Sequence, residues 1–569
     1  MNGRHQTERF RFAWLPYLTL FAMLGPLLAG LAGTVAPAFG YMPALGTRDL
    51  SLDVFRSLMA WPGLYDAVRL SVTTGFLATA ISLGIVTLIT AGWVGTKSFR
   101  ILERLLSPLL SVPHAAAAFG FAFLIMPSGW IARLLSPWLT GWDRPPDVLI
   151  VQDPYGLAMT AGLIAKEVPF LLLMVLAALS QSNGTRRQIV AQALGYGRVT
   201  GWLKTVFPSI YSQIRLPVYV VLAYSMSVVD VAIILGPNTP PTLSVQIIKW
   251  MNDPDLSFRL QAAAGALAQF LLVIAAMLVW RMGELFVAFA GRRWIVRGRR
   301  QLLDKTLRTV GFTAGVITAA SIILGLAGLV LWSFAGFWSY PDILPDNLSL
   351  RSWARSGAGL SDAAFETMII AFASTLIAVF LTIGCLEAEY RYNLRITRRS
   401  LLILYLPLMV PQTAFLPGLQ TLLLTTGADT GRLPVILTHL VFVLPYVFLS
   451  LGDPFRSWDT RYATTASALG AGPDRVLWRI RLPMLLAPVL TAMAVGFAVS
   501  VGQYLPTLLI GGGRLQTLTT EAVALAAGGD RRVIGVYGLA QTTAALLPFL
   551  IAILLPAFLW RNRKALRHG

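Results

Sequence analysis

IVAQALGYGRVTGWLKTVFP, residues 189–208, returns 275 positions later as TTASALGAGPDRVLWRIRLP, residues 464–483. Both copies carry an Ala-x-Ala-Leu-Gly run, at Ala191, Ala193, Leu194 and Gly195 and at Ala466, Ala468, Leu469 and Gly470. A second glycine follows two residues on, Gly197 or Gly472, and each copy closes on a proline, Pro208 or Pro483. The register survives downstream, where Gly236 matches Gly511 and Thr242-Leu243 matches Thr517-Leu518. Agreement at one fixed offset over about fifty residues marks an internal duplication. Each copy is polar and cationic between two long apolar runs, so it is expected to leave the bilayer and return. Its small residues suit a helix with a flat face that packs closely against a partner. Gly195 and Gly470 can end or turn that helix, because glycine enters left-handed conformations without steric cost.

The rest of the chain has the composition of a membrane protein. It has 569 residues, 56% hydrophobic and only 13% charged, with mean hydropathy +0.68. That leaves too few polar side chains to cover a water-soluble globule of this size. The expected fold is therefore an all-α integral membrane protein. The net charge of +20 raises the question of nucleic acid, but its distribution answers it. The segments assigned to the cytoplasm hold most of the 46 Lys and Arg, which is the positive-inside rule and needs no nucleic-acid footprint. The single cysteine, Cys385, lies in an apolar run and excludes an internal disulfide or a Cys metal cluster. Arg4, Arg9 and Arg11 precede an apolar run to about Val35; the run is long enough to cross and lacks a small-residue cleavage site, so it reads as a retained first span.

Apolar runs near the ~20 residues needed to cross a bilayer fall at 13–34, 65–94, 105–126, 156–180, 214–236 and 258–284. A second set follows at 307–333, 363–386, 401–424, 433–452, 485–511 and 533–560. About twelve spans thus form two sets of six, giving a first repeat at 1–284, a basic linker at 285–306 and a second repeat at 307–569. With the arginine-rich N-terminus inside, six spans return the chain to the cytoplasm at GRRWIVRGRRQLLDKTLR, residues 291–308, the most basic segment. The second set then starts from the same side, so the repeats are parallel and related by an axis along the membrane normal. Both repeated loops and both termini fall on the cytoplasmic side. The first half carries about 23 extra residues, in the external segment 127–154. Its Trp130, Trp138 and Trp142 suit the membrane interface, so it reads as a loop on the outer leaflet or a contact for an external partner.

The chemistry-bearing residues are few. A phosphate-binding loop needs Gly-Lys-Ser/Thr, and none of the lysines follows a glycine; Gly95-Thr96-Lys97-Ser98 has the wrong spacing. The four histidines are His5 and His568 at the ends and His114 and His439 inside apolar runs, none with a second ligand type at metal spacing. No catalytic cluster and no metal site is expected. Ionisable groups inside a span are the stronger signal, because a charge at the bilayer centre costs ~2.5–3.5 kcal/mol on insertion scales. Lys166 and Glu167 lie in the fourth run and Asp230 in the fifth. They form either a buried Lys166–Asp230 ion pair that fixes helix register or part of a solute path, with Gln503 a further path candidate. The second half has Phe442 and Val443 where the first has the charged pair, so any charge-lined site is asymmetric. Pro169 and Pro445 are expected to kink or break the fourth and tenth spans. GPNTPPTLSVQI at 236–247 and GGGRLQTLTTEAV at 511–523 are expected not to form ordinary helix, and to act as outer gates or simple reversals.

The repeated loop resembles the EAA loop of ABC importer permeases, whose pattern is Glu-Ala-Ala, three residues, Gly, a gap, and a hydrophobic-x-Leu-Pro ending. Here the endings are Val206-Phe207-Pro208 and Arg481-Leu482-Pro483. The family's acidic position holds Ile189 and Thr464, so the salt bridge of that glutamate is not implied. The resemblance covers most of both six-span sets and is closest to the fused permeases for ferric iron, thiamine, polyamines or phosphonates, the Ynj type in particular. It implies a MetI-like permease fold in the inner membrane and a transport subunit that is not itself an enzyme. It also implies two copies of a cytoplasmic ABC ATPase that bind ATP and Mg, and a periplasmic or extracellular solute-binding protein, with membrane lipid around the spans. The rival reading is a twelve-span secondary transporter driven by an ion gradient, which has no mechanical reason to keep a duplicated Ala-Leu-Gly loop. A membrane-embedded hydrolase would need a catalytic cluster. The sequence does not name the solute.

Overall fold

The computed structural model describes residues 12–301, 303–394 and 397–560. Arg4, Arg9, Arg11, His5 and His568 lie outside the described residues. Helices make up the architecture, and among the described residues both halves share one order apart from two short helices, Asp53–Ala60 and Trp130–Leu135, found only in the first. The first half opens with α1 (Leu15–Ala38), a short α2 (Asp53–Ala60) and α3 (Leu64–Trp93). Next come α4 (Lys97–Leu109), α5 (His114–Ile125), the short α6 (Trp130–Leu135) and α7 (Leu157–Ser180). The first repeated loop is α8 (Gly184–Ala193) and α9 (Arg198–Thr205), which leads into α10 (Phe207–Ser227), α11 (Asp230–Leu235), α12 (Leu243–Met251) and α13 (Phe258–Val296). The second half runs α14 (Asp304–Phe334), α15 (Arg351–Arg391), α16 (Arg398–Met409), α17 (Gln412–Thr426) and α18 (Leu433–Arg456). Its repeated loop is α19 (Arg461–Ala468) and α20 (Pro473–Met484). The chain finishes with α21 (Leu486–Val501), α22 (Leu505–Gly511), α23 (Leu518–Ala524) and α24 (Arg531–Leu559).

Among the described residues nine helices are long and apolar enough to cross a membrane, and twelve if each of three bent pairs is one span. The expected runs at 105–126 and 401–424 are not continuous. The backbone leaves helical geometry before Pro113 and before Pro411, where Val410 is extended at φ −84°, ψ 125°, because a residue preceding proline is pushed out of the α region. α16 and α17 meet at 78°. Pro169 and Pro445, by contrast, sit inside α7 and α18 without interrupting either helix. The runs 214–236 and 485–511 are also broken, between α10 and α11 and between α21 and α22. The segments 236–247 and 511–523 are non-helical only in their first parts; from Leu243 and Leu518 they form the short helices α12 and α23.

The two halves are interlocked by their first spans. α1 packs against α17 and α15 of the second half, and α14 packs against α5 and α3 of the first. Small residues permit these crossings. A Cβ on Gly120 would lie 2.7 Å from the backbone of Gly325, and one on Gly33 would lie 2.6 Å from the carbonyl of Gly418. Backbone-to-backbone approach of this kind is how helices gain packing contact where hydrophobic exclusion from water offers little driving force. Arg133 of α6 is buried; it donates to the carbonyls of Ser339 and Asp342 and lies 4.7 Å from the Trp338 ring. The segment 127–154 is thus clasped to the second half's loop between α14 and α15, while Trp138 stays exposed.

Candidate functional site

Each repeated loop is a helix, a left-handed glycine and a second helix. In the first, Gly195 has φ +82°, its N–H donates to the Gln192 carbonyl at 2.9 Å, and the Tyr196 N–H reaches back to Ala191 at 3.1 Å. In the second, Gly470 has φ +84°, with Gly470 N–H to Ser467 at 3.0 Å and Ala471 N–H to Ala466 at 2.9 Å. This pair of bonds is the Schellman arrangement, which satisfies the last helical carbonyls and needs a residue that tolerates positive φ. The following helix then bends into the membrane, α9 into α10 by 67° and α20 into α21 by 76°. Both loops start at the same end of the bundle, since Gln181 after α7 donates to Asp453 near the end of α18 at 3.0 Å.

The structure divides the loop residues into two roles. Ala191 and Ala466 are buried against their own chain, whereas Ala193 and Ala468 face outward with Leu194 and Leu469. The flat face expected from both alanines of each loop is therefore split between the two sides of its helix. Leu194 is 60% exposed and Leu469 is 85% exposed, so each tip offers an apolar side chain with no internal partner to bury it. A groove of about 380 Å³ lies beside the first tip, lined by Arg186, Arg187, Val190, Leu194, Tyr196 and Ile295 among others. Pro208 and Pro483 are exposed at the start of the inward helices.

The second loop is tied to the spans by a buried ion network. Arg481 leaves a π-turn at Leu477–Arg481, donates to Glu387 at 3.2 Å and to the Phe455 carbonyl at 2.8 Å, and lies 3.8 Å from the Phe455 ring. Glu387 also accepts from Arg391 at 2.7 Å, and Arg391 reaches Asp474 at 2.8 Å. α15, α18 and α20 meet in this network. The first loop has no such arginine, and Val206 stands in the place of Arg481.

The charged trio is arranged otherwise than as a Lys166–Asp230 pair. Lys166 donates to the carbonyls of Leu109 and Leu110 at 2.8 and 2.9 Å. It thereby closes the C-terminal end of α4, where free carbonyls and the helix dipole favour a cation. Asp230 begins α11 at the helix break, beyond ion-pair distance of Lys166. Glu167 approaches His114 at 3.8 Å, and the His114 ring lies 4.8 Å from that of Tyr224. Gln503 sits at the break between α21 and α22 and accepts from Gln412 at 3.3 Å. His439 is buried between Ser500 at 2.8 Å and Thr507 at 2.9 Å, bridging that same break.

Residues 374–561 match the family described as "Binding-protein-dependent transport system inner membrane component". The chain is 31% identical over 557 residues to the inner membrane ABC transporter permease protein YnjC of Escherichia coli (strain K12), across 96% of this chain and 99% of that protein. The chain belongs to the ABC transporter permease family. A probable ABC transporter permease protein, y4fN of Sinorhizobium fredii, is 23% identical over 85% of each chain. The putative 2-aminoethylphosphonate transport system permease protein PhnV of Salmonella typhimurium is 26% identical over 264 residues, 46% of this chain and 95% of its own. As an ABC permease of the binding-protein-dependent kind, the protein is a transport subunit and not an enzyme, and the ion-driven transporter falls away.

Sequence reasoning missed the polar ties that hold the broken spans of this permease. The Ser244 hydroxyl donates to the Val228 carbonyl at 3.0 Å, and Thr519 does the same for Val501. Ser71 accepts from the Leu243 N–H at 3.2 Å, and Thr367 accepts from Leu518 at 2.9 Å. Gln269 donates to Met226 at 3.0 Å and Gln541 to Thr519 at 2.5 Å. Unwound backbone inside a membrane must find such partners. The signal available in the sequence was the recurrence of a hydroxyl or glutamine at matching places in both halves.

Proposed function

We propose that this permease moves a small solute through the interface of two halves, 1–284 and 307–569, joined by the linker 285–306. Two copies of a cytoplasmic ATPase, which bind the ATP and Mg, dock on the two helix–glycine–helix loops, and an external binding protein delivers the solute. Leu194 and Leu469 supply the apolar contact; Ala193, Gly195, Ala468 and Gly470 keep the tips small enough for close approach. Ala191 and Ala466 hold the loop shape from the inside, and Pro208 and Pro483 start the inward helices. Gly197 and Gly472 lead into the second helix of each loop. ATP closes the ATPase pair, the loops move with it, and the halves rock to expose the path to one side and then the other. Glu167, Asp230 and Gln503 line that path, with Lys166 turned away to hold α4. The chain sits in the inner membrane with its spans in lipid, and both termini and the linker lie on the cytoplasmic side.

The observation that carries this reading is the pair of loops itself. They have the same turn, lie at the same end of the bundle and both expose a leucine. The test is Gly470→Glu. A glutamate at φ +84° pays ~1–2 kcal/mol for the left-handed backbone and places a charge where a partner would desolvate it. The spans are untouched, so the variant permease is expected in the membrane at normal amount while the copurifying ATPase is lost. Retention of the ATPase and of ATP-driven transport in this variant would refute the docking role of the loop.

A further inference from the structure

The linker is more than a tether between the halves. Its residues Trp294, Arg299 and Arg300, and Asp304 beyond them, each contact the first loop. The Asp304 carboxylate accepts from the N–H groups of Val199 and Thr200 at 2.7 and 3.1 Å and from the Thr200 hydroxyl at 2.6 Å. These are the free donors at the start of α9, where a negative charge is favoured by the helix dipole. The Gly197 N–H donates to the Arg300 carbonyl at 2.7 Å, and buried Lys204 donates to the Arg299 carbonyl at 2.9 Å. Lys204 also lies 4.7 Å from the Trp294 ring. The Arg300 guanidinium covers Gly195, within 3.3 Å of where a Cβ would be. Leu303 adopts φ +45° although it is not glycine, a conformation that costs ~1–3 kcal/mol and is kept only where surroundings impose it. That turn brings Asp304 round to face the loop.

Asp304 is also the first residue of α14, the opening span of the second half. The same span is held further along, where the Trp93 indole donates to the Arg308 carbonyl at 2.9 Å. The second loop is built differently. Among the described residues nothing lies within 4 Å of a Cβ placed on Gly470 or Gly472, and its ties run to α15 and α18 through Arg481 and Arg391.

We propose that Asp304 is a positioning residue that hands movement of the first ATPase-docking loop directly to α14, so that the linker couples the first loop to the second half of the permease. This rests on the loops being the ATPase-docking elements. Gly197 is required because any side chain there would occupy the place of the Asp304 carboxylate, and Gly472 carries no such requirement.

The test uses the full complex with its copurifying ATPase in detergent, and reads hydrogen exchange at the start of α14 with and without MgATP. In the parent protein, MgATP should change exchange at residues 304–312 by about tenfold, the scale set by losing or keeping one charge-assisted hydrogen bond. Asp304→Ala should abolish that response while the ATPase stays bound through the second loop. Asp304→Asn, whose amide oxygen still accepts from Val199 and Thr200, should restore most of it. Gly197→Ala should reproduce the loss from the loop side, and Gly472→Ala should cost much less. A MgATP response at α14 that persists in both Asp304→Ala and Gly197→Ala overturns the proposal. Equal losses from Gly197→Ala and Gly472→Ala do so too, by placing the demand for glycine at the ATPase. If Gly470→Glu also keeps its ATPase, the docking reading itself has failed, and that outcome is read separately.

Discussion

Replacing Arg481 with methionine removes the centre of the network that ties the second loop to the spans. Arg481 and Glu387 are each only 3% exposed at the side chain, so the pair is shielded from water that would otherwise replace it. The guanidinium makes charge-assisted bonds to Glu387 at 3.2 Å and to the Phe455 carbonyl at 2.8 Å, of a kind worth ~1.5–3 kcal/mol each. The substitution leaves Glu387 with Arg391 at 2.7 Å as its remaining ion-pair partner, so the carboxylate is not wholly stranded. Breaking a buried pair costs ~3–5 kcal/mol, and the surviving contact places the expected loss at the lower end, about 3 kcal/mol. That is about a hundredfold in a local opening equilibrium. Hydrogen exchange over residues 461–484 in the detergent-purified permease should therefore accelerate by about two orders of magnitude, while exchange over 184–205 stays as it was. Adding Glu387→Gln, which removes the buried negative charge, should recover part of the loss. Exchange in 461–484 within twofold of the parent would show that the network does not hold the loop.

The separation of Lys166 from Asp230 predicts that Lys166→Met and Asp230→Asn lower thermal stability independently, with the double variant additive to within about 0.5 kcal/mol; Lys166→Met alone should cost ~1.5–3 kcal/mol, because two carbonyls at the end of α4 lose a charged donor. Recovery in the double variant would restore the ion-pair reading. Gly418→Leu should separate α1 from α17, since even a Cβ there meets the Gly30 carbonyl and Thr34; overpacking of this kind costs ~1–3 kcal/mol or more, and an unchanged melting temperature would refute the interlock.

What the sequence showed and what it hid follow from the range of each interaction. The twelve apolar runs and the left-handed turns at Gly195 and Gly470 are local and legible in a short window, and the duplication is legible because its two copies keep one fixed offset. The breaks before Pro113 and Pro411 were also local, since a valine precedes each proline, but apolar composition carried the reading straight through them. Pro169 and Pro445 sit in helices that simply continue, so proline alone did not separate the two cases. The sequence offers Asp230 as one candidate partner for Lys166 on opposite charge alone. Its actual acceptors are the carbonyls of Leu109 and Leu110, which no side-chain pattern advertises. Ser71 and Leu243 lie 172 positions apart, and Thr200 and Asp304 lie 104 apart. Pairings at such distances were not visible in a single sequence.

The duplication invites the expectation that the halves do the same job in the same way, and their polar groups argue against it. Where both halves must hold an unwound backbone, the solution recurs: a hydroxyl on the broken carbonyl, a hydroxyl under the short helix and a glutamine behind it. Where each half must hold its repeated loop, the solutions diverge, with Asp304 from the linker in one and Arg481 with Glu387 in the other. Joining the halves in one chain explains the difference. A basic linker had to leave the end of α13 beside the first loop, and a carboxylate at its far end found the free donors of α9. Among the described residues no such segment passes over the second loop, which takes its anchor from the ends of α15 and α18. The backbone ties are thus set by the fold, and the loop anchors by how the chain is connected.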